Sequence, residues 1–123
     1  MAGIGRRAAR IVADLNTAVD AVRAAGGRVA AYGAAGKATT LLTSAGLDAD
    51  RLAFVADLNP AKHGFFMPGT DLEIVPPERL RAERPEAVVI LAWNFAEEIL
   101  DQLADLRAAG TRCILPIPEL KVV

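Results

Sequence analysis

The sequence predicts a doubly wound α/β domain with a mainly parallel sheet of about five strands and helices on both faces. Short apolar segments alternate along the chain with longer segments of helical periodicity, a pattern typical of strands joined by helical crossovers. The chain is 53% hydrophobic but only 5% aromatic, so its core must consist mainly of Val, Ile, Leu and Ala. With 123 residues we expect one domain, formed by a leading helix (residues 1–26) and an α/β core (residues 27–123).

The leading helix is predicted by an apolar stripe within residues 6–25, in which apolar side chains recur at steps of four, four and three residues. The stripe consists of Ile11, Leu15, Val19 and Val22. A glycine pair at 26–27 ends the helix. Because this helix precedes the first strand, it is also a candidate contact with something outside the chain.

The remaining elements follow from apolar runs and from the glycines and prolines between them. Strands are predicted at residues 28–32, 52–56, 72–75, 87–92 and 111–115. Helices are predicted at 37–45, after Pro76-Pro77, and at 95–109, the last with a buried stripe of Phe95, Ile99, Leu103 and Leu106. Residues 59–70 are rich in Gly, Pro and polar side chains and are predicted to form a loop.

Composition excludes several classes of function. The 14 basic and 15 acidic residues are spread along the chain and give a net charge of −1, which offers no basic field for nucleic acid. One cysteine, Cys113, cannot form an internal disulfide, and no Cys/His group has the spacing of a metal site. No apolar run approaches the roughly 18 residues of a membrane span. We therefore expect a cytoplasmic protein with no metal in this domain and no membrane or nucleic-acid partner.

The glycine-rich turn after the first strand is the strongest candidate for a binding site. Its residues are Tyr32-Gly33-Ala34-Ala35-Gly36-Lys37. The glycines let the backbone approach a ligand, and the helix that follows presents free N–H groups to an anion. Ala31 stands where both the Walker loop and the dinucleotide fingerprint have a glycine, so the turn matches neither pattern. A tight strand-to-helix connection without a ligand is the alternative interpretation.

Other polar residues are expected at the same edge of the sheet, because ligands of doubly wound sheets bind beyond the carboxyl ends of the strands. Asp57 ends the second strand, where a ribose-binding acid is common. In the loop that follows, Lys62 could reach a phosphate, and His63 is the only imidazole and a weak candidate for a general base. After the strand at 87–92, Trp93 offers a flat face to a sugar or base, and Asn94 either binds ligand or caps the next helix.

Four separated motifs resemble, in order, the C-terminal domain of the sugar-nucleotide C-methyltransferases. They are Tyr32-Gly33-Ala34-Ala35-Gly36-Lys37 with Thr40-Leu41-Leu42, then Asp57-Leu58-Asn59-Pro60-Ala61-Lys62-His63-Gly64, then Pro68-Gly69-Thr70, and finally Ile90-Leu91-Ala92-Trp93-Asn94. Related sequences tend to have a glycine where this chain has Ala38. The resemblance covers more than half of the chain and implies a Rossmann-like fold.

What the resemblance implies about function is specific. These enzymes use S-adenosylmethionine to add a methyl branch to a keto-deoxysugar carried on a nucleotide, by proton abstraction next to the keto group. The resemblance implies that the nucleotide sugar faces Tyr32 to Lys37, Asp57, Asn59, Lys62, Trp93 and Asn94. It also implies that S-adenosylmethionine and zinc belong to other domains of the parent enzyme, and that this domain contacts the central domain in cis. The chain alone is then expected to hold substrate weakly and to be inactive.

Two other functions are compatible with the residues. The first is a stand-alone nucleotide- or dinucleotide-binding regulatory module, which Asp57 and the glycine turn favour. The second is an assembly module in which the leading helix pairs with a partner. Both predict the same sheet, so the fold alone does not distinguish them.

Overall fold

The computed structural model describes residues 2–34, 36–116 and 121–123, with side chains described from residue 9 onward except at 36 and 37. The helices are α1 (Ala2–Ala24), α2 (Gly36–Ala45), α3 (Glu78–Glu83), α4 (Ala96–Gln102) and α5 (Ala104–Ala108). The strands are β1 (Val29–Tyr32), β2 (Val55–Ala56), β3 (Ile74–Val75), β4 (Ala87–Ile90), β5 (Arg112–Leu115) and β6 (Lys121–Val122). Short 3₁₀ turns cover Pro60–Lys62 and Trp93–Phe95.

The described strands form one sheet in the order β3-β2-β1-β4-β5-β6. All neighbouring pairs are parallel except β5 and β6, which are antiparallel. The predicted doubly wound α/β class is confirmed. The sheet has a sixth strand that the sequence did not predict, because two residues beyond a proline-rich segment carry no periodic signal.

Two apolar clusters cover the two faces of the sheet, as the strand alternation requires. In β1, Val29 and Ala31 point to the cluster that contains α1 and α2, while Ala30 and Tyr32 point to the cluster that contains α3, α4 and α5. All four residues are buried, which explains why β1 is a continuous apolar run.

The apolar stripe of α1 packs inside this domain. Leu15 and Val19 are completely buried in the first cluster, and Ile11 and Val22 are partly buried against it. The stripe is therefore part of the core of this domain, and a contact of the leading helix with a partner stays a prediction. The described helix, Ala2–Ala24, lies within the predicted bounds of 1–26.

The predicted helix over residues 95–109 is divided into a 3₁₀ turn, α4 and α5. Ile99, Leu103 and Leu106 are buried as predicted, but Phe95 is 57% exposed, so its place in the buried stripe was wrong. The reason is that Phe95 still belongs to the 3₁₀ turn, with φ −116° and ψ 24°, and α4 begins only at Ala96. Its side chain therefore does not align with the buried stripe of α4 and is exposed instead.

Candidate functional site

The candidate site lies at the carboxyl edge of the sheet, between β1 and β4. These strands are neighbours, yet the chain proceeds from β1 outward to β2 and β3 on one side and from β4 outward to β5 on the other. Such a reversal of strand order leaves a crevice above the strand ends, where ligands of doubly wound sheets bind. The turn after β1, the loop after β2 and the 3₁₀ turn after β4 all end at this edge.

Gly33 is in direct contact with the segment that follows β4. A Cβ on Gly33 would lie 2.7 Å from the Ala92 Cβ and 2.9 Å from the Ala92 nitrogen, and its φ of +105° is one that side-chain-bearing residues rarely adopt. Leu91 N donates to Tyr32 O at 2.8 Å and keeps the two segments together. The glycine at this position is therefore required by the segment that follows β4, a reason that the sequence did not indicate.

Asp57 joins the loop after β2 to the turn after β1. Its Oδ2 accepts a hydrogen bond of 2.7 Å from Ala34 N, and its Oδ1 accepts one of 2.8 Å from Asn59 N. The side chain is only 14% exposed. The amide of Ala34 in the glycine turn is thus capped by a carboxylate of the protein itself.

Lys62 and His63 hold the same loop against the turn. Lys62 Nζ donates to Ala34 O at 3.0 Å and lies 3.9 Å from Asp57 Oδ2. His63 Nε2 lies 2.6 Å from Asp57 O. Because a carbonyl oxygen only accepts, Nε2 carries the proton, and in the neutral ring Nδ1 is the basic nitrogen.

Asn59 and Tyr32 have internal partners. Asn59 Oδ1 accepts from Ala61 N at 3.0 Å and so begins the 3₁₀ turn of the loop. Tyr32 is buried, and its hydroxyl donates to Gln102 Oε1 at 2.7 Å. The pKa of Tyr32 is raised mainly by burial of its hydroxyl, and the nearby negative charge of Asp57 raises this pKa further. The Tyr32 hydroxyl is therefore a neutral donor to α4, a contact the sequence did not reveal.

The predicted pair after β4 lies within a 3₁₀ turn. Trp93 is half-buried, and Asn94 is exposed. The helix α4 has Phe95 as its N-cap with no side-chain hydrogen bond, so the interpretation of Asn94 as a helix cap is wrong. Its expected role in ligand binding stays a prediction.

The remaining residues of the glycine turn are Ala35, Gly36 and Lys37. Ala35 lies outside the described residues, Gly36 begins α2, and the side chain of Lys37 is not among those described. The site residues that the structure brings together are therefore Gly33, Ala34, Asp57, Asn59, Lys62 and His63 on one side of the crevice, with Trp93 one residue beyond the Gly33–Ala92 contact.

Two cavities are relevant to where a ligand binds. One of about 470 Å³ lies beside the carboxyl ends of β4 and β5 and is lined by Trp93, Asn94, Phe95, Ala96, Glu97, Glu98, Leu115 and Lys121. A larger one of about 610 Å³ lies at the opposite, amino edge between α1 and β1. There Arg51 is paired with Asp20 at 2.6 Å, and Arg23 donates to Asp50 O at 3.0 Å. Since these arginines are engaged and ligands favour the carboxyl edge, we place the site at the carboxyl edge.

The described residues, 2–34, 36–116 and 121–123, contain neither a cluster of metal ligands nor a membrane-spanning helix. Among those residues, no three His, Cys, Asp or Glu side chains are grouped closely enough to hold a metal ion. No helix within the same residues is both long and apolar enough to cross a bilayer.

Comparison with known proteins gives a consistent result. A family model described as the C-methyltransferase C-terminal domain matches residues 2–118. The chain is also 37% identical, over 114 residues, to the C-methyltransferase NovU of Streptomyces niveus. That alignment covers 93% of this chain but 27% of NovU, so the chain spans about a quarter of the length of this relative.

Proposed function

This chain belongs to the family of C-methyltransferase C-terminal domains, and from that premise we propose that it is the substrate-binding domain of an S-adenosylmethionine-dependent sugar C-methyltransferase. Its ligand in this proposal is a nucleotide-linked keto-deoxysugar. A cytoplasmic location, which the sequence predicts, is part of the same proposal.

One observation carries the proposal: the turn after β1 and the loop after β2 are bonded into one unit beside the strand that leads to Trp93. Asp57 and Lys62 both contact Ala34, and Gly33 touches Ala92. In this proposal the carboxylate of Asp57 and the ammonium group of Lys62 lie on one side of the ligand, and the indole of Trp93, which lines the cavity beside β4 and β5, lies on the other. Carboxylates accept hydrogen bonds from sugar hydroxyls, and an aromatic face packs on a sugar ring or base.

The proposed reaction of the whole enzyme needs a base beside the keto group of the sugar. His63 is the residue of this chain that fits that role, acting through Nδ1 because Nε2 is bonded to Asp57 O. Its anchored ring is oriented by the loop, which is what a positioned base requires. S-adenosylmethionine, when bound to the parent enzyme, supplies the electrophilic methyl group.

We place the methyl donor and the zinc of the parent enzyme in the part of it that this chain does not represent. The chain covers 27% of NovU, so a relative of that length has room for further domains. In this arrangement the central domain packs on the present domain in cis and closes the crevice over the substrate. The present domain alone binds substrate weakly and transfers no methyl group.

Calorimetric titration of the chain with a dTDP-deoxysugar tests the proposal. We expect weak binding by the wild type and a loss of heat in the Lys62→Ala variant. Arg84→Ala, on the far end of α3, is the matched control and should bind as the wild type does. Absence of heat at millimolar ligand, even with the remaining part of the enzyme supplied in trans, would contradict the proposal. Stabilisation by NAD but not by dTDP-sugars would instead select a dinucleotide-binding module.

A further inference from the structure

Two backbone amides of the glycine turn, those of Gly33 and Ala34, are already bonded within the protein. Gly33 N donates to Ala56 O at 2.8 Å. Ala34 N donates to Asp57 Oδ2 at 2.7 Å. A phosphate bound to a glycine-rich turn requires such amides to be free, because it is held by N–H groups that point at its oxygens. At Gly33 and Ala34 this requirement is not met.

The carboxylate of Asp57 is held in this position from several directions. Its second oxygen accepts from Asn59 N at 2.8 Å, and its backbone oxygen accepts from His63 Nε2 at 2.6 Å. Lys62 bonds to Ala34 O on the other side of the same peptide segment. Because these bonds fix both the loop and the turn, moving Asp57 aside to admit an anion would break several of them together.

We propose that Asp57 is a specificity-determining residue that excludes phosphate from the Gly33–Ala34 turn, so that the ligand group bound beside it is a hydroxyl. The carboxylate occupies the place of an anion, and its charge repels a second one. Each carboxylate oxygen has a further lone pair that accepts from an O–H group. The inference rests on the proposed function for the identity of the ligand, but the exclusion of phosphate does not depend on it.

The positive charge of Lys62 does not make the Gly33–Ala34 turn favourable for phosphate. Its ammonium group lies 3.9 Å from Asp57 Oδ2 and therefore balances the one negative charge already present. The same ammonium group donates a hydrogen bond to Ala34 O. A phosphate beside Ala34 would add negative charge, but it would not receive a hydrogen bond from Ala34 N, which already donates to Asp57.

Amide NMR of the full chain, titrated with inorganic phosphate, tests the exclusion directly. In the wild type we expect the Ala34 resonance to stay unchanged at millimolar phosphate. In Asp57→Ala the amide is freed, and we expect phosphate to shift it with at least about tenfold higher affinity. Asp50→Ala removes the same charge at the opposite edge of the sheet and serves as the control for net charge; it should show no gain.

Two further measurements separate the effect of the Asp57 charge from misfolding of a variant. Asp57→Asn keeps an oxygen acceptor without the charge and should respond to phosphate less than Asp57→Ala. In the wild type, a scalar coupling across the Ala34 N–H···Asp57 bond requires no variant to fold. A phosphate-induced shift of Ala34 in the wild type, or no gain in either Asp57 variant, would overturn the proposal. Failure of dTDP-sugar to bind, with the phosphate results as expected, would refute the proposed function and leave this inference standing.

Discussion

Gly33 lies so close to Ala92 that a Cβ atom added to the glycine would come within 2.7 Å of the Ala92 Cβ. The contact joins the ends of β1 and β4 at the point where the order of the strands reverses. It fixes the width of the candidate crevice at its base.

Gly33→Ala should therefore destabilise the fold. The substitution combines a backbone at φ +105° with a steric overlap, and we expect a loss of about 2–5 kcal/mol in the free energy of unfolding. Urea denaturation measures it. Gly64→Ala is the matched control, because Gly64 has φ +88° but nothing within 4 Å of its added Cβ; its cost should be about 1–2 kcal/mol. Equal losses of unfolding free energy in the two variants would show that the contact with Ala92 does not affect stability.

Phe95 and Ile99 should differ sharply when truncated to alanine. Phe95 is 57% exposed, whereas Ile99 is 4% exposed and packs against the sheet. We expect Phe95→Ala to change the free energy of unfolding by about 0.5 kcal/mol or less. Ile99→Ala should cost about 2–5 kcal/mol. A large loss for Phe95→Ala would restore the continuous buried stripe that the sequence predicted.

Apolar runs made the central strands predictable. The predicted strands at 28–32 and 87–92 contain β1 and β4, whose residues are buried on both faces and therefore uniformly apolar. The predicted strand at 52–56 is longer than β2, although Ala31 N still bonds to Phe54 O beyond its start. An apolar run indicates which residues are buried, and buried residues continue beyond the ends of the hydrogen-bonded strand.

The contacts within the site were less predictable. The sequence placed Asp57 and the glycine turn at one edge, since both follow parallel strands. It did not reveal that Asp57 bonds to Ala34 itself, because that depends on how the loop curves. Ala92 and Gln102 were missed for a similar reason: an alanine beside a glycine, or a glutamine in a helix, has no local pattern that marks its distant partner.

Trp93→Ala should weaken binding of a dTDP-deoxysugar about tenfold, or about 1.4 kcal/mol, if the half-buried indole packs on the ligand. Calorimetry or competition measures the dissociation constant. Phe65→Ala is the control, because Phe65 is a 66% exposed aromatic in the segment that pairs with β3 at the sheet edge. Comparable losses in both variants would indicate that the indole has no specific contact with the ligand.

Glu83 should contribute a small, pH-dependent stabilisation. Hydrogen bonds from Arg28 at 2.6 Å and Arg79 at 3.0 Å lower the pKa of its carboxyl group. The stabilisation is thus present above the ordinary carboxyl pKa and is lost as the pH falls through the folded value. We expect Glu83→Gln to cost about 0.5 kcal/mol at neutral pH, and less in high salt.

Urea denaturation at several pH values measures this effect. Glu73→Gln is the control, since Glu73 is exposed and forms no ion pair with any described residue. A loss in Glu83→Gln that persists unchanged in acid and in high salt would mean that packing, and not charge, is responsible.

Cys113 should make the protein less stable in alkaline solution. The side chain lies in β5 opposite Val88 and is completely buried, and this burial raises the pKa of its thiol. Above about pH 8.5 the unfolded chain releases the thiol proton while the folded chain retains it, so the free energy of unfolding falls as the pH rises. In Cys113→Val the decline should begin only at higher pH, where Tyr32, whose pKa is also raised, becomes the next group to contribute. Urea denaturation across this pH range measures both proteins, and parallel curves would contradict a buried, protonated thiol. A thiol reagent should likewise modify the wild type only as fast as the sheet opens, because the thiolate, the reactive form, is suppressed in the fold.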